Sequence, residues 1–165
     1  MGRIIDGLLR FLEEDEWNFS SEERDGQHLV FFSYTGRNST VRTTIIVREV
    51  IDVVCIHSRL EATVPEARLP QAAEFICRAN HGMFIGNFEL DFSDGEVRYK
   101  TSVDLEGAEF TSTVFRNLLH ANLSTADRYH PGLMRLLWSD DVSAEEAVAQ
   151  VEGRPAGGED EDEDD

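Results

Sequence analysis

The apolar residues follow a helical period at the start of the chain and a strand period afterwards. Between residues 4 and 12 apolar side chains recur every three to four positions with charged ones between them, which predicts an amphipathic helix. From residue 28 the pattern is typical of β-structure, and residues 28–35, 41–48 and 50–60 predict three antiparallel strands. Residues 53–56 are apolar on both faces of their strand, so we expect that strand to be central and covered on each side.

Three further helices are predicted from their start and stop signals. The first begins near residues 65–70, which hold two prolines, and Gly82 ends it by adopting a left-handed cap conformation. The second has Thr111 as its N-cap, with phenylalanines on either side forming a hydrophobic staple, and Pro131 is expected to interrupt it. A capping box that starts at Ser143 opens the last helix.

A β-hairpin is predicted between the first and second of these helices. The Asp-Gly pair at residues 94–95 indicates a two-residue turn, which sets the register of the two strands. Leu90 would then lie opposite Tyr99, and Asp91 opposite Arg98. In this arrangement one face of the hairpin is apolar and the other carries pairs of opposite charge.

The charge of the chain is strongly negative and partly concentrated at the C-terminus. The 165 residues carry a formal net charge of -18, and residues 159–165 are seven consecutive carboxylates. We expect residues 1–152 to form one domain and residues 153–165, here called the acidic tail, to be disordered. The tail is interpreted as a solubility segment, as an electrostatic arm for a basic partner, or as a weak site for divalent cations. Such acidity favours basic protein partners and argues against direct binding of nucleic acid.

The composition also limits the compartment and the chemistry. No apolar run is long enough to span a membrane and no secretory signal is evident, so we expect a cytoplasmic protein without membrane contact. Two cysteines, Cys55 and Cys77, suit a reducing compartment. The five histidines lack metal-site spacing, and the chain lacks a nucleophile elbow and the glycine-rich phosphate loops. We therefore expect no metal, no cofactor and no catalytic residues.

Individual residues with chemical potential have simpler explanations. Cys55 and His57 share a strand face, and a core thiol beside a partly exposed imidazole is favoured over a catalytic pair. Arg98 is assigned to its expected partner across the hairpin rather than to a carboxylate ligand. Gly86 is interpreted as a point where the backbone passes close to a neighbour.

Residues 80–91 and 94–100 resemble the YbjN family, described as bacterial sensory transduction regulators. The shared pattern is an Asn-x-Gly that ends a helix, a Gly-Asn-Phe-Glu that enters a strand, and an Asp-Gly turn that leads to Val-Arg-Tyr. Residues 125–131 are similar to the family's closing-helix segment. The matching positions, for which we expect a structural role, are Asn80, Gly82, Gly86, Asn87, Phe88, Asp94, Gly95, Arg98 and Tyr99.

The resemblance implies an α+β fold in which helices pack on an antiparallel β-sheet, similar to type III secretion chaperones. It also implies a homodimer that holds a protein client without turning over a substrate. We interpret the chain as a non-catalytic protein-binding module, chaperone-like or regulatory, and its negative charge favours a basic client.

Two other functions stay open at this point. One is a small-molecule sensor or an uncharacterised enzyme, in which Asn80, His81, Asn87 and Arg98 would converge. The other is a regulator that binds a DNA-processing protein through the acidic tail. The chain is rich in aromatic residues, some of which are expected at an interface. Those assigned to protein binding are Trp17, Phe19, Tyr129 and Trp138.

Overall fold

The computed structural model describes residues 2–154, which form four α-helices and six strands. The N-terminal half contains α1 (Arg3–Glu14), β1 (Ser20–Arg24), β2 (Gln27–Thr35), β3 (Thr40–Arg48) and β4 (Val53–Thr63). The C-terminal half contains α2 (Leu69–Asn80), β5 (Asn87–Leu90), β6 (Glu96–Asp104), α3 (Ser112–Trp138) and α4 (Ala144–Glu152). The acidic tail is predicted to be disordered, and its residues 155–165 lie outside the described residues.

The six strands form one antiparallel sheet in the order β1-β2-β3-β4-β6-β5. Residues that are paired across the strands point to the same side of the sheet. Val30, Ile45 and Ile56 form one such row, and all three are buried beneath the helices. The four helices share a single hydrophobic core with this face of the sheet.

The opposite side of the sheet, here called the uncovered face, has no helix from residues 2–154 packed on it. We expected β4 to be covered on both sides. That prediction is wrong, because within residues 2–154 helices cover only one side. Val53 and Cys55 lie on the uncovered face and are only partly buried. The apolar residues on this second face of β4 are therefore not covered by any other part of the described chain.

Strand β1 was absent from the predicted elements. Its sequence, Ser-Ser-Glu-Glu-Arg, has no apolar alternation, and all five residues are exposed. It pairs with β2 from Ser20 opposite Phe31 to Arg24 opposite Gln27. A polar edge strand of this kind is stabilised by backbone pairing, which leaves no hydrophobic signal in the sequence.

The hairpin exists, but its predicted register is wrong by two residues. Leu90 pairs with Val97 and Phe88 with Tyr99, so the connection is longer than two residues. The Asp91 side chain accepts hydrogen bonds from the backbone and hydroxyl of Ser93, which stabilise a wider loop. Because a shift of two residues keeps the side-chain alternation, the predicted apolar face is retained on the strands.

Helix α3 is 27 residues long and continues through Pro131, so the predicted interruption there is wrong. A proline in a helix leaves the carbonyl four residues earlier without its usual donor. That carbonyl belongs to Asp127, and the side-chain amide of Asn38 donates to it at 3.2 Å. A residue from the β2–β3 turn thus replaces the missing hydrogen bond.

The predicted caps at the N-termini of α3 and α4 are present in the structure. The Thr111 side chain accepts a hydrogen bond from the backbone of Val114, and the rings of Phe110 and Phe115 lie 5.9 Å apart across this cap. Ser143 and Glu146 form the reciprocal capping box of α4.

Candidate functional site: the uncovered face of the sheet

An apolar patch occupies the centre of the uncovered face. Leu29, Ile46 and Cys55 are aligned across β2, β3 and β4. Phe31 lies two residues along β2, and all four side chains are partly buried without any covering layer. We call these four residues the apolar patch. Contiguous apolar area on the outer face of a protein is a feature of surfaces that another molecule covers.

A line of arginines borders the apolar patch. Arg42, Arg59 and Arg98 are directly paired on β3, β4 and β6, and we call them the arginine row. Like charges directly opposite one another destabilise a sheet. The row is compensated in part by two carboxylates: Arg59 binds Glu96 at 3.1 Å, and Arg98 binds Glu89 at 2.7 Å.

The carboxylate of Glu89 is shared between two cations. It accepts from Arg98 and also from Lys100, the only lysine of the chain. Burial raises the pKa of Glu89, but the hydrogen bonds and charges of Lys100 and Arg98 outweigh burial and hold that pKa below its usual value. Glu89 is therefore ionised near neutral pH, and its charge is already used by two partners.

A depression of about 550 Å³ lies over the junction between the apolar patch and the arginine row. Phe31, His57 and all three residues of the arginine row are among the residues that line it. The depression is broad and open toward solvent. It therefore brings one aromatic side chain of the apolar patch and three guanidinium groups onto the same accessible surface.

Cys55 and His57 are in contact but are not arranged as a catalytic pair. The Cys55 Sγ and His57 Nε2 atoms lie 3.2 Å apart. Burial raises the pKa of the Cys55 thiol, and burial together with the charges of Arg98 and Lys100 lowers the pKa of His57. Both shifts favour the uncharged forms, whereas a reactive thiolate beside an imidazolium needs the opposite shifts.

The motif residues mainly build the hairpin and its connection to α2. The Asn80 side chain accepts from the backbone N–H of Phe88 at 2.7 Å and donates to its carbonyl at 3.1 Å. The Tyr99 hydroxyl donates to the carbonyl of Ile85. Gly86 has a φ of 77° and approaches the backbone of Lys100, as expected from the sequence. Positive φ values also occur at Gly82 and Gly95.

Two motif residues have roles that differ from those expected. Arg98 binds Glu89 instead of the predicted Asp91, because the hairpin register is shifted. Asp94 does not belong to a two-residue turn, and its side chain instead accepts from the backbone of Glu96 at 2.9 Å. Both corrections follow from the wider loop.

The four polar residues proposed for a small-molecule pocket do not converge. Asn80 and His81 lie at the C-terminal end of α2, on the helical side of the sheet. Asn87 is aligned with Lys100, and Arg98 with Arg59, so both belong to the uncovered face. The sheet therefore separates the two pairs.

The aromatic residues assigned to protein binding have different environments. Tyr129 is 5% exposed and packs between Phe75 and Phe88, so its ring belongs to the core. Trp17 is half-buried with its ring 4.9 Å from that of Phe32, and Phe19 is also partly buried. Trp138 is 77% exposed and is available to a partner.

Sequence reasoning did not identify the arginine row. Arg42 was placed on the polar face of its strand, but its alignment with Arg59 and Arg98 depends on pairing between three strands. It also missed Phe84, which is fully exposed beside β5. Strand alternation shows which face a residue occupies and gives no indication of its neighbours on other strands.

Two further searches of the described residues bear on function. No helix within residues 2–154 has the length and apolar character needed to cross a membrane. Over the same residues, no group of three or more His, Cys, Asp or Glu side chains is placed to hold a metal ion.

The fold is α+β, with helices on one face of an antiparallel sheet, and it is similar to the fold of proteins solved in type III secretion chaperone complexes. A chain of the ExsC–ExsE complex matches with a TM-score of 0.55 at 18% identity, over 79% of this chain and 96% of that one. A chain of the HopA1–SchA chaperone–effector complex matches with a TM-score of 0.51 at 12% identity, over 77% and 92% of the two chains. The predicted fold class is therefore confirmed.

The family follows from the sequence. The model of the YbjN family, described as "Putative bacterial sensory transduction regulator", matches residues 5–135, and the chain belongs to this family. YbjN from E. coli, described as "a putative transcription regulator", has a similar structure with a TM-score of 0.53 at 17% identity, over 74% of this chain and 85% of that one. No curated protein sequence matches the chain.

Proposed function

We propose that this protein is a non-catalytic protein-binding module, chaperone-like or regulatory, which holds a protein client on the apolar patch. The observation that carries this proposal is the position of Leu29, Phe31, Ile46 and Cys55 on a face that no described element covers. Two proteins with a similar fold were solved in complexes, and one of these is a chaperone–effector complex. The neutral Cys55–His57 contact supports a binding role over a catalytic one.

The client is a basic protein, and the module acts in the cytoplasm as a homodimer. A net charge of -18 attracts cationic partners over long distances and raises their rate of association. The homodimer is measurable by light scattering, which should give twice the chain mass of 18.7 kDa. If light scattering at micromolar concentration gave the mass of a single chain, the proposed homodimer would be wrong. Client binding would then be tested separately.

Replacing Ile46 with serine should weaken client binding about tenfold. The change removes apolar area from the centre of the patch, and burial of that area against a client contributes roughly 1 to 2 kcal/mol. The client would first be captured with the full-length protein and identified by mass spectrometry. Its dissociation constant would then be measured for both proteins by calorimetry.

Ile51→Ser is the matched control for this experiment. Ile51 is an exposed isoleucine that lies in the short turn between β3 and β4 and outside the apolar patch. We expect it to bind the client like the unmodified protein. Equal affinities for Ile46→Ser and the unmodified protein would contradict the assignment of the apolar patch as the client site.

A further inference from the structure

The arginine row carries more positive charge than its surroundings neutralise. Glu89 serves both Arg98 and Lys100, and Glu96 serves Arg59. Among the described residues, no carboxylate lies within ion-pair distance of Arg42. Glu61 lines a second small depression beside Arg42 and Arg59 but forms no ion pair with either. In a chain with a net charge of -18, this local excess of cations favours an anionic ligand.

The chain contains a segment whose charge complements the arginine row. The acidic tail ends in seven consecutive carboxylates at residues 159–165. Arginine binds carboxylates through two parallel hydrogen bonds, so three adjacent guanidinium groups suit a run of acidic residues. No other part of the sequence has seven adjacent carboxylates.

The described chain ends near the β5 edge of the sheet, and the arginine row lies on the uncovered face beyond this edge. The Tyr129 hydroxyl donates to Glu152 at 2.6 Å, and the Tyr129 ring contacts Phe88 on the edge strand β5. Through Tyr129, Glu152 is thus placed on the helical side near the β5 edge, where Phe88 directly precedes Glu89.

The length of the tail is sufficient for this path. Residues 155–165 can extend over about 36 Å. The path passes around a sheet and helix layer of about 10 Å, and Arg98 and Arg42 are separated by two strand spacings, together also about 10 Å. The end of the acidic run is therefore long enough to reach the row.

Charge also argues against other occupants of the row. A free acidic partner would be repelled by the net charge of the chain, whereas a tethered tail acts at an effective concentration in the millimolar range. A second copy of the chain that approached through the same face would bring a second arginine row against the first.

We propose that the acidic tail binds the arginine row of its own chain.

The proposal is testable in the full-length protein by carbodiimide cross-linking, which condenses a carboxylate with an amine and releases water. Lys100 is the only lysine, and it lies on the uncovered face beside Arg98. We expect mass spectrometry to detect links from Lys100 to residues 159–165. The link between Lys100 and Glu89 serves as the internal control for folding and reagent activity.

Salt and arginine substitution distinguish docking from random encounter. The yield of tail links should fall about fivefold between roughly 0.05 M and 0.5 M NaCl, because ionic screening weakens exposed ion pairs. The double variant Arg42→Gln, Arg59→Gln should lower it by a similar factor. Arg48→Gln, on the same face but outside the row and bonded to Gln27, should leave it unchanged.

Mixing ¹⁵N-labelled and unlabelled protein identifies the source of the tail. Links within one chain carry a single label and support the proposal. Predominantly mixed links would overturn it in favour of docking on a second copy, and loss of tail links while Lys100–Glu89 still forms would overturn it altogether. Failure to find a client would count against the proposed function and leave the tail contact intact.

Discussion

Replacement of Asp127 with alanine is expected to lower the free energy of unfolding by about 3 kcal/mol. Asp127 lies in α3, is 8% exposed, and holds the turn between β2 and β3. Its carboxylate accepts from the backbone N–H groups of Arg37, Asn38 and Ser39 at 2.8 to 3.1 Å. The side chains of Asn38 and Ser39 donate to it as well. Alanine would leave these donors without an acceptor in a partly buried position.

Urea denaturation followed by circular dichroism would measure this loss. Asp140→Ala is the matched control, since the Asp140 side chain is 91% exposed and its ion pair with Arg68 is at the surface. The control should cost about 0.5 kcal/mol or less. Similar losses for the two variants would show that the turn does not depend on Asp127.

The contribution of Asp127 should also depend on pH. Burial raises the pKa of its carboxyl, but the hydrogen bonds from the turn outweigh burial and lower that pKa below its ordinary value of 3.8. A lowered pKa in the folded state means that the stabilisation is fully present above the ordinary value and is lost as the pH falls through the folded value. The difference in stability between the unmodified protein and Asp127→Asn should therefore narrow in acid.

Gly86→Ala is expected to destabilise the protein by roughly 3 to 4 kcal/mol, through two separate effects. The φ of 77° at Gly86 is unfavourable for a residue with a Cβ atom. A Cβ there would also lie 2.5 Å from the Lys100 carbonyl oxygen and 2.8 Å from the Tyr99 hydroxyl. The strands that carry Glu89, Arg98 and Lys100 would have to separate to make room.

Gly107→Ala separates the two effects. Gly107 has a similar φ of 70°, but nothing lies within 4 Å of the position that its Cβ would take. We expect this control to lose only about 1 kcal/mol, which corresponds to the backbone conformation alone. Chemical denaturation of both variants gives the comparison, and equal losses would mean that close packing at Gly86 has little energetic importance.

Much of the local structure was predictable because its causes are local. The Thr111 cap, the Ser143 capping box and the apolar face of the hairpin depend on residues within a few positions of one another. The wrong predictions concerned features that depend on side-chain hydrogen bonds or on residues far apart in the sequence. The length of the hairpin loop depends on side-chain hydrogen bonds from Asp91, and α3 continues through Pro131 because Asn38, 89 residues from Asp127, donates to the carbonyl of Asp127.

The sequence by itself determined the family, the α+β class, the helix caps and the face on which each strand residue lies, since all of these follow from short-range patterns. Only the tertiary structure decided that one sheet face stays uncovered and that Arg42, Arg59 and Arg98 form a row across it. The physical reason is that strand pairing joins residues far apart in the chain. The charge and apolar area of a surface depend on which of these distant residues become neighbours.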